Sequence, residues 1–215
     1  MSATLFYEKS GQGDPIILLH GNGETHQIFD KAVLLLKDYY TVYALDSRGH
    51  GKSENPKEEL FYEDMVEDVE SFIIDMNIQK PIIYGFSDGG IVALMLAMKQ
   101  PDLLSKLVVS GVNINPEGIR RNWLILFKLI YAFSKSKNYK MMLTQPQIDP
   151  KELGKITIPV YVTAGSRDLI RMDHMEMIAE HIQNSCFKVF DKENHASYVI
   201  HSDTIAKYIL NIMKC

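Results

Sequence analysis

The chain has 215 residues, of which 46% are hydrophobic and 23% charged, with a formal net charge of −4. That length and balance fit one large globular α/β domain better than two small ones. The negative balance and the lack of a dense basic tract argue against a nucleic-acid binder, and no apolar run approaches the roughly 18 residues of a membrane span.

Two cysteines, Cys186 and Cys215, make no disulfide framework and fit a reducing compartment. Residues 1–9 lack a basic start and a long apolar stretch, so no signal peptide is read. A cytoplasmic location is the expectation.

In chain order, short β-type runs alternate with helical patterns. Leu5–Glu8 reads as an edge strand and Ile16–His20, after Pro15, as a buried one. Gln27–Asp38 is expected to be helical, Thr41–Asp46 a strand, and Leu60–Asn77 a helix with Met65, Val69, Phe72, Ile73 and Met76 on one face. Glu63, Asp64, Glu67, Asp68 and Glu70 fall largely off that face, as a solvated surface would place them. Lys80–Phe86 is a strand, Asp88–Gln100 a helix apolar almost all round, and Lys106–Ser110 a further strand. The rhythm breaks after Gly111. It resumes with strand Pro159–Ala164, helix Arg171–Gln183, strand Phe187–Asp191 and helix Ala196–Met213. Strands separated by helices imply a mostly parallel sheet covered on both faces.

The interruption, residues 112–155, has another character. Ile119, Trp123, Leu126, Phe127, Ile130 and Tyr131 recur at helical spacing, while Arg120, Arg121, Lys128, Lys135, Lys137 and Lys140 make it basic. Such a helix can meet a membrane surface or a partner. The commoner arrangement is a lid whose apolar face covers a pocket while its lysines stay in water, so no stable membrane association is expected.

One turn carries chemistry. Gly85-Phe86-Ser87-Asp88-Gly89-Gly90 puts a serine between a strand and a helix, with glycines two residues to either side. This is the pattern of a nucleophile elbow, where a tight turn exposes the hydroxyl and the helix aims backbone N–H groups at developing negative charge. A serine nucleophile needs a base, a group to orient that base, and oxyanion donors. His195, between the last strand and the last helix, lies at the sheet edge that Ser87 should occupy. His20 ends a strand and is expected to shape the loop after it, His50 sits in a turn, and His26, His174, His181 and His201 read as surface residues. Asp168, just past strand Pro159–Ala164, is the expected acid, with Asp191 and Asp203 as fallbacks. Asp46 reads as part of a structural turn. For the oxyanion, one donor is the N–H of Asp88. The other comes from His20-Gly21-Asn22-Gly23, with Asn22 preferred over Gly21 and Gly23.

These elements together resemble the serine hydrolases of the α/β-hydrolase fold superfamily. His20-Gly21-Asn22-Gly23, the Asp46–Ser53 turn, the Ser87 elbow, Asp168 and His195 occur in that superfamily's order, and the elbow is similar to that of valacyclovir-hydrolase-like esterases. The resemblance implies an eight-stranded, mostly parallel sheet with one antiparallel edge strand. It also implies a core of residues 1–111 and 156–215, and a short helical lid, 112–155, inserted after the sixth strand. Asn194 departs from the glycine common before the histidine, and the lid is shorter than in many relatives.

Relatives that cut carbon–halogen bonds or epoxides carry aspartate at the elbow, so Ser87 points to acyl transfer. The expected reaction is hydrolysis of a small or medium carboxylic ester through an acyl-enzyme. The alternatives are C–C bond hydrolysis, aminopeptidase or amidase, and perhydrolase chemistry on the same triad, or a non-catalytic ligand-binding member of the fold. Phe86, Trp123, Phe127 and Tyr131 are candidates to line the substrate pocket. No metal-ligand cluster and no dinucleotide fingerprint appears, so no cofactor is implied. The expected partner is a small-molecule ester, and the chain is expected to be a monomer or homodimer.

Overall fold

The computed structural model describes residues 3–213; Cys215 and the first two residues, on which part of the compartment reading rests, lie outside them. Seven strands form one sheet: β1 (Tyr7–Ser10), β2 (Asp14–Leu19), β3 (Tyr40–Leu45), β4 (Ile82–Phe86), β5 (Lys106–Ser110), β6 (Val160–Arg167) and β7 (Ser185–Asn194). Their order is β1-β3-β2-β4-β5-β6-β7, and only β1 is antiparallel to its neighbour.

The inner strands are continuous apolar runs because both faces of the sheet are covered. Alternate residues go to opposite sides. Ile17, Leu19, Ile83, Leu107 and Val109 join a core under α2 (Tyr62–Asp75), α3 (Asp88–Lys99) and α6 (Met172–Glu180). Ile16, Leu18, Ile82, Tyr84 and Val108 join the other, under α1 (Asp30–Leu36) and α7 (Thr204–Ile212). Each fully buried aliphatic side chain contributes about 1.5–3 kcal/mol.

The expected eight strands are seven among the described residues. The antiparallel edge strand is present, but only one strand, β1, precedes β2, so the 112–155 segment follows the fifth strand rather than the sixth. The helices are all shorter than their patterns, and the first and last lose the most at their starts. The Gln27–Asp38 stretch begins as a 3₁₀ turn, His26–Phe29, before α1. The last helix starts at Thr204, because His201 adopts φ 49° and its N–H bonds to Ile28 O.

Residues 112–155 hold α4 (Arg121–Ser134) and α5 (Lys137–Thr144). Ile119 is buried ahead of α4, but no residue of α4 itself is buried. Among the described residues, no helix is long and apolar enough to cross a membrane.

The acidic face of α2 departs most from a solvated surface. Asp64 and Asp68 are buried, and Arg48, from the loop after β3, is wholly enclosed against them. Its Nε and Nη2 donate to the two oxygens of Asp68, each at 2.7 Å.

Candidate active site

Strand order creates the site. From β2 the chain turns one way to β3, then passes back to place β4 on the other side of β2. The loops leaving the carboxyl ends of β2 and β4 therefore diverge and open a crevice.

Between β4 and α3 a single residue, Ser87, makes the turn. Its φ of 51° and ψ of −116° are costly for an L-residue, on the order of 1–3 kcal/mol. The Ser87 N–H is held by Ser110 O at 2.8 Å. The flanking glycines are required by contact. A Cβ on Gly85 would stand 2.4 Å from Gly89 O, and one on Gly89 2.3 Å from Leu19 O.

Asp168 follows β6 directly and is 1% exposed. Its carboxylate accepts from the N–H of Ile170 at 3.0 Å and of Gly165 at 3.3 Å, which fixes its orientation. His195 follows β7. Its Nδ1–H donates to Asp168 Oδ1 at 2.6 Å, and its Nε2 lies 3.1 Å from Ser87 Oγ, so the hydroxyl can donate to it. A hydroxyl on an imidazole whose far nitrogen is tied to a buried carboxylate is an arrangement able to release a serine proton on demand. The fallback acids lie elsewhere: Asp191 is exposed and Asp203 pairs with Lys207. Asp46 accepts from the Lys52 N–H at 2.9 Å within its own turn and from the His26 N–H at 2.8 Å across from the loop after β2.

The loop after β2 is pinned from several sides. Ser47 N–H donates to His20 Nε2 at 2.9 Å, so the proton sits on Nδ1, which donates to Gly21 O at 2.7 Å. Burial pushes His20 down to about 4, so the ring stays neutral and shapes the loop. Gly21 N–H is taken by Glu24 Oε2 at 3.0 Å. That leaves the backbone N–H groups of Asn22 and Gly23, and of these two residues Asn22 lines the same cavity as Ser87 and His195. Asp88 N–H, at the first turn of α3, has no acceptor within its helix. The two residues are joined through their side chains. Asn22 Nδ2 donates to Asp88 Oδ2 and Tyr62 Oη to Asp88 Oδ1, both at 2.8 Å. The Asp88 carboxylate is thus occupied with Tyr62 and Asn22, and burial raises its pKa despite both donors.

Ser87 and His195 open on a cavity of about 160 Å³. Of the expected pocket residues, Phe86 and Phe127 line it. Trp123 and Tyr131 do not. They flank Phe127 one helical turn before and after, and only the middle turn stands over Ser87. Trp123 instead stacks at 5.9 Å on Phe127, and Tyr131 lies under Lys135. Tyr139 and Met142 of α5 and Leu169 complete the wall; nothing in their spacing marked them. Two histidines expected at the surface, His26 and His174, are buried. His26 donates to Asp46 through Nδ1 at 2.7 Å, and His174 Nε2 accepts from the Ile114 N–H at 3.1 Å.

Glu24 also escaped the sequence reading. It lines the same cavity, and burial pushes its carboxyl up to about 7 from 4.5. The folded protein therefore holds a proton there that the unfolded chain releases, and stability falls as pH rises from about 4.5 through 7. Glu24→Gln keeps an acceptor for Gly21 N–H without the buried charge. It should gain on the order of 2 kcal/mol over the wild type at pH 8 and little at pH 4.5. Thermal melts of both proteins across that range check this; a difference independent of pH would refute it.

Among the described residues no group of three or more His, Cys, Asp or Glu is placed to hold a metal ion.

In comparisons with known proteins, the AB hydrolase superfamily protein YisY of Bacillus subtilis (strain 168) is 38% identical over 92 residues, 42% of this chain and 34% of that one. The serine hydrolase BPHL of Homo sapiens is 35% identical over 116 residues, 51% of this chain and 40% of that one. The chain thus spans less than half the length of these curated relatives. Among solved structures, an esterase from Exiguobacterium antarcticum superposes with a TM-score of 0.85 at 20% identity, covering 99% of this chain and 96% of its own. A meta-cleavage product hydrolase from Pseudomonas fluorescens IP01 gives 0.82 at 17%, covering 99% and 94%. At those identities the likeness is one of fold. A family model described as the alpha/beta hydrolase fold matches residues 14–133, more than half of the chain, and the protein belongs to that family.

Proposed function

We propose that this protein is a serine hydrolase that cleaves a small or medium carboxylic ester through an acyl-enzyme on Ser87. The observation that carries the reading is the continuous Ser87–His195–Asp168 relay, with links of 3.1 and 2.6 Å. As Ser87 Oγ attacks the acyl carbon, its proton passes to His195 Nε2 and the carbonyl electron pair moves onto oxygen. The oxyanion settles between the N–H groups of Asn22 and Asp88, each worth about 3–4 kcal/mol to the transition state. Asp168 stabilises the imidazolium. Collapse of the intermediate breaks the ester C–O bond, and His195 returns the proton to the departing alkoxide. Water, deprotonated by His195, then attacks the acyl carbon. The acid leaves, and Ser87 regains its proton.

Residues 112–155 act in this reading as a lid on the core formed by 1–111 and 156–215. Phe127, Tyr139 and Met142 lie on the wall of the Ser87 cavity, and its small volume supports a short acyl group. The human serine hydrolase among the relatives supports the same class.

A fluorophosphonate probe tests the nucleophile. It should label the wild type and spare Ser87→Ala. Equal labelling of both, or labelling of neither together with no ester turnover, would overturn the proposal. A screen of ester chain lengths beside thioesters, aminoacyl amides and diketones then separates ester hydrolysis from the other reactions such a triad supports.

A further inference from the structure

Helix α4 is apolar on both sides, a pattern that belongs to a fully buried helix, yet none of its residues is fully buried. Its inner side carries Leu124, Phe127, Ile130 and Tyr131, all half-buried. On the opposite side Ile125, Leu129 and Phe133 follow at intervals of four, which lines them up along one strip. They are 51%, 54% and 89% exposed. Leu126 borders the strip and is exposed too. Water therefore faces the aliphatic side of the helix, which folding alone leaves uncovered.

The surrounding charge selects what can cover it. Between residues 118 and 148 there are six lysines and arginines and no aspartate or glutamate, in a chain whose net charge is −4. Arg121 and Lys128 are neighbours of Ile125 by helical spacing, and Lys135 and Lys137 follow the C-terminal end of the strip. Lys140 is paired with Glu59 at 2.8 Å. A second copy docked strip to strip would bring two sets of these cations together. An anionic lipid surface matches both features, taking the apolar strip among its acyl chains while the basic side chains reach the headgroups.

We infer that, against the expectation of no stable membrane association, the outer face of α4 is a docking surface for anionic membranes, on which the protein lies without spanning. The Ser87 cavity opens beneath the inner face of the same helix, through Phe127. Docking would thus bring the cavity close to the lipid boundary. The inference stands apart from the chemistry at Ser87, and Ser87→Ala should dock as the wild type does.

Trp123 is the chain's single tryptophan and lies on α4, 39% exposed, so its emission reports on the helix directly. Vesicles of phosphatidylcholine mixed with an equal part of phosphatidylglycerol should float the protein at low salt and shift this emission to the blue. Vesicles of phosphatidylcholine alone should do neither, and high salt should weaken the binding. Leu129→Glu/Phe133→Glu, changed only on the solvent side, should keep the wild-type melting temperature and lose about tenfold or more of its partitioning. The inference fails if neither vesicle floats the wild type at low salt, or if the double variant floats equally well. A wild-type dimer in sedimentation that the double variant dissolves, with no flotation, would assign the strip to a second copy. Capture of the wild type by an acidic protein, again with no flotation, would assign it to that partner.

Discussion

Ser87→Ala should lower kcat for ester hydrolysis by roughly 10⁵–10⁶-fold, and His195→Ala should do nearly the same. The two residues share one proton, so the double variant should be scarcely slower than either single one. A double loss equal to the product of the single losses would mean that they act independently, and would break the proposed relay. Asp168→Asn should cost about 10⁴-fold, because an amide cannot hold His195 in the tautomer that presents a bare Nε2 to Ser87. Asp168 is buried and bonded to two backbone N–H groups. The Asp168→Asn loss must therefore be read beside a melting curve, so that slower turnover at unchanged melting temperature isolates the role at His195.

Asp68→Ala should destabilise the fold by about 3–5 kcal/mol, the largest effect expected away from the crevice. The substitution removes both acceptors of a bidentate pair and leaves the Arg48 guanidinium enclosed beside Asp64, whose nearer oxygen is 3.9 Å away. Arg48→Met/Asp68→Leu removes both charges and should cost much less than Asp68→Ala alone, since apolar groups of similar volume need no partner. Chemical denaturation of the three proteins measures this. A loss below about 1 kcal/mol for Asp68→Ala would place the pair among exposed ion pairs of little worth.

Asp68 also shows where reading the chain fell short. On a helical wheel it belongs with Glu63, Asp64, Glu67 and Glu70, and hydropathy assigns that group to water. What buries it is an arginine twenty residues earlier, delivered by the loop after β3. A charge is excluded from a core only when nothing pairs with it, and pairing depends on which loops meet. His26 and His174 were misplaced for the same reason, since their partners, Asp46 and the Ile114 N–H, lie far off in the chain. The expected eighth strand came from likeness to a family rather than from any apolar run in this chain.

The alternation of strands and helices, the two-faced burial of the sheet and the turn at Ser87 are legible in the chain of amino acids alone. Those depend on local rules: apolar runs, helical period, and glycines where a backbone must pass another closely. The same strand pattern sends Ser87, Asp168 and His195 to one edge, because the parallel strands β4, β6 and β7 that precede them all end there. It emerges only in the folded protein which wall faces the serine, that Glu24 holds Gly21, and that Trp123 and Tyr131 stand aside while Phe127 does not. The Glu24 contact depends on how the loop after β2 closes on itself, and the choice of Phe127 depends on the angle at which α4 lies over the core. The same angle leaves Ile125, Leu129 and Phe133 in water, a fact that periodicity cannot supply for a helix apolar on both sides.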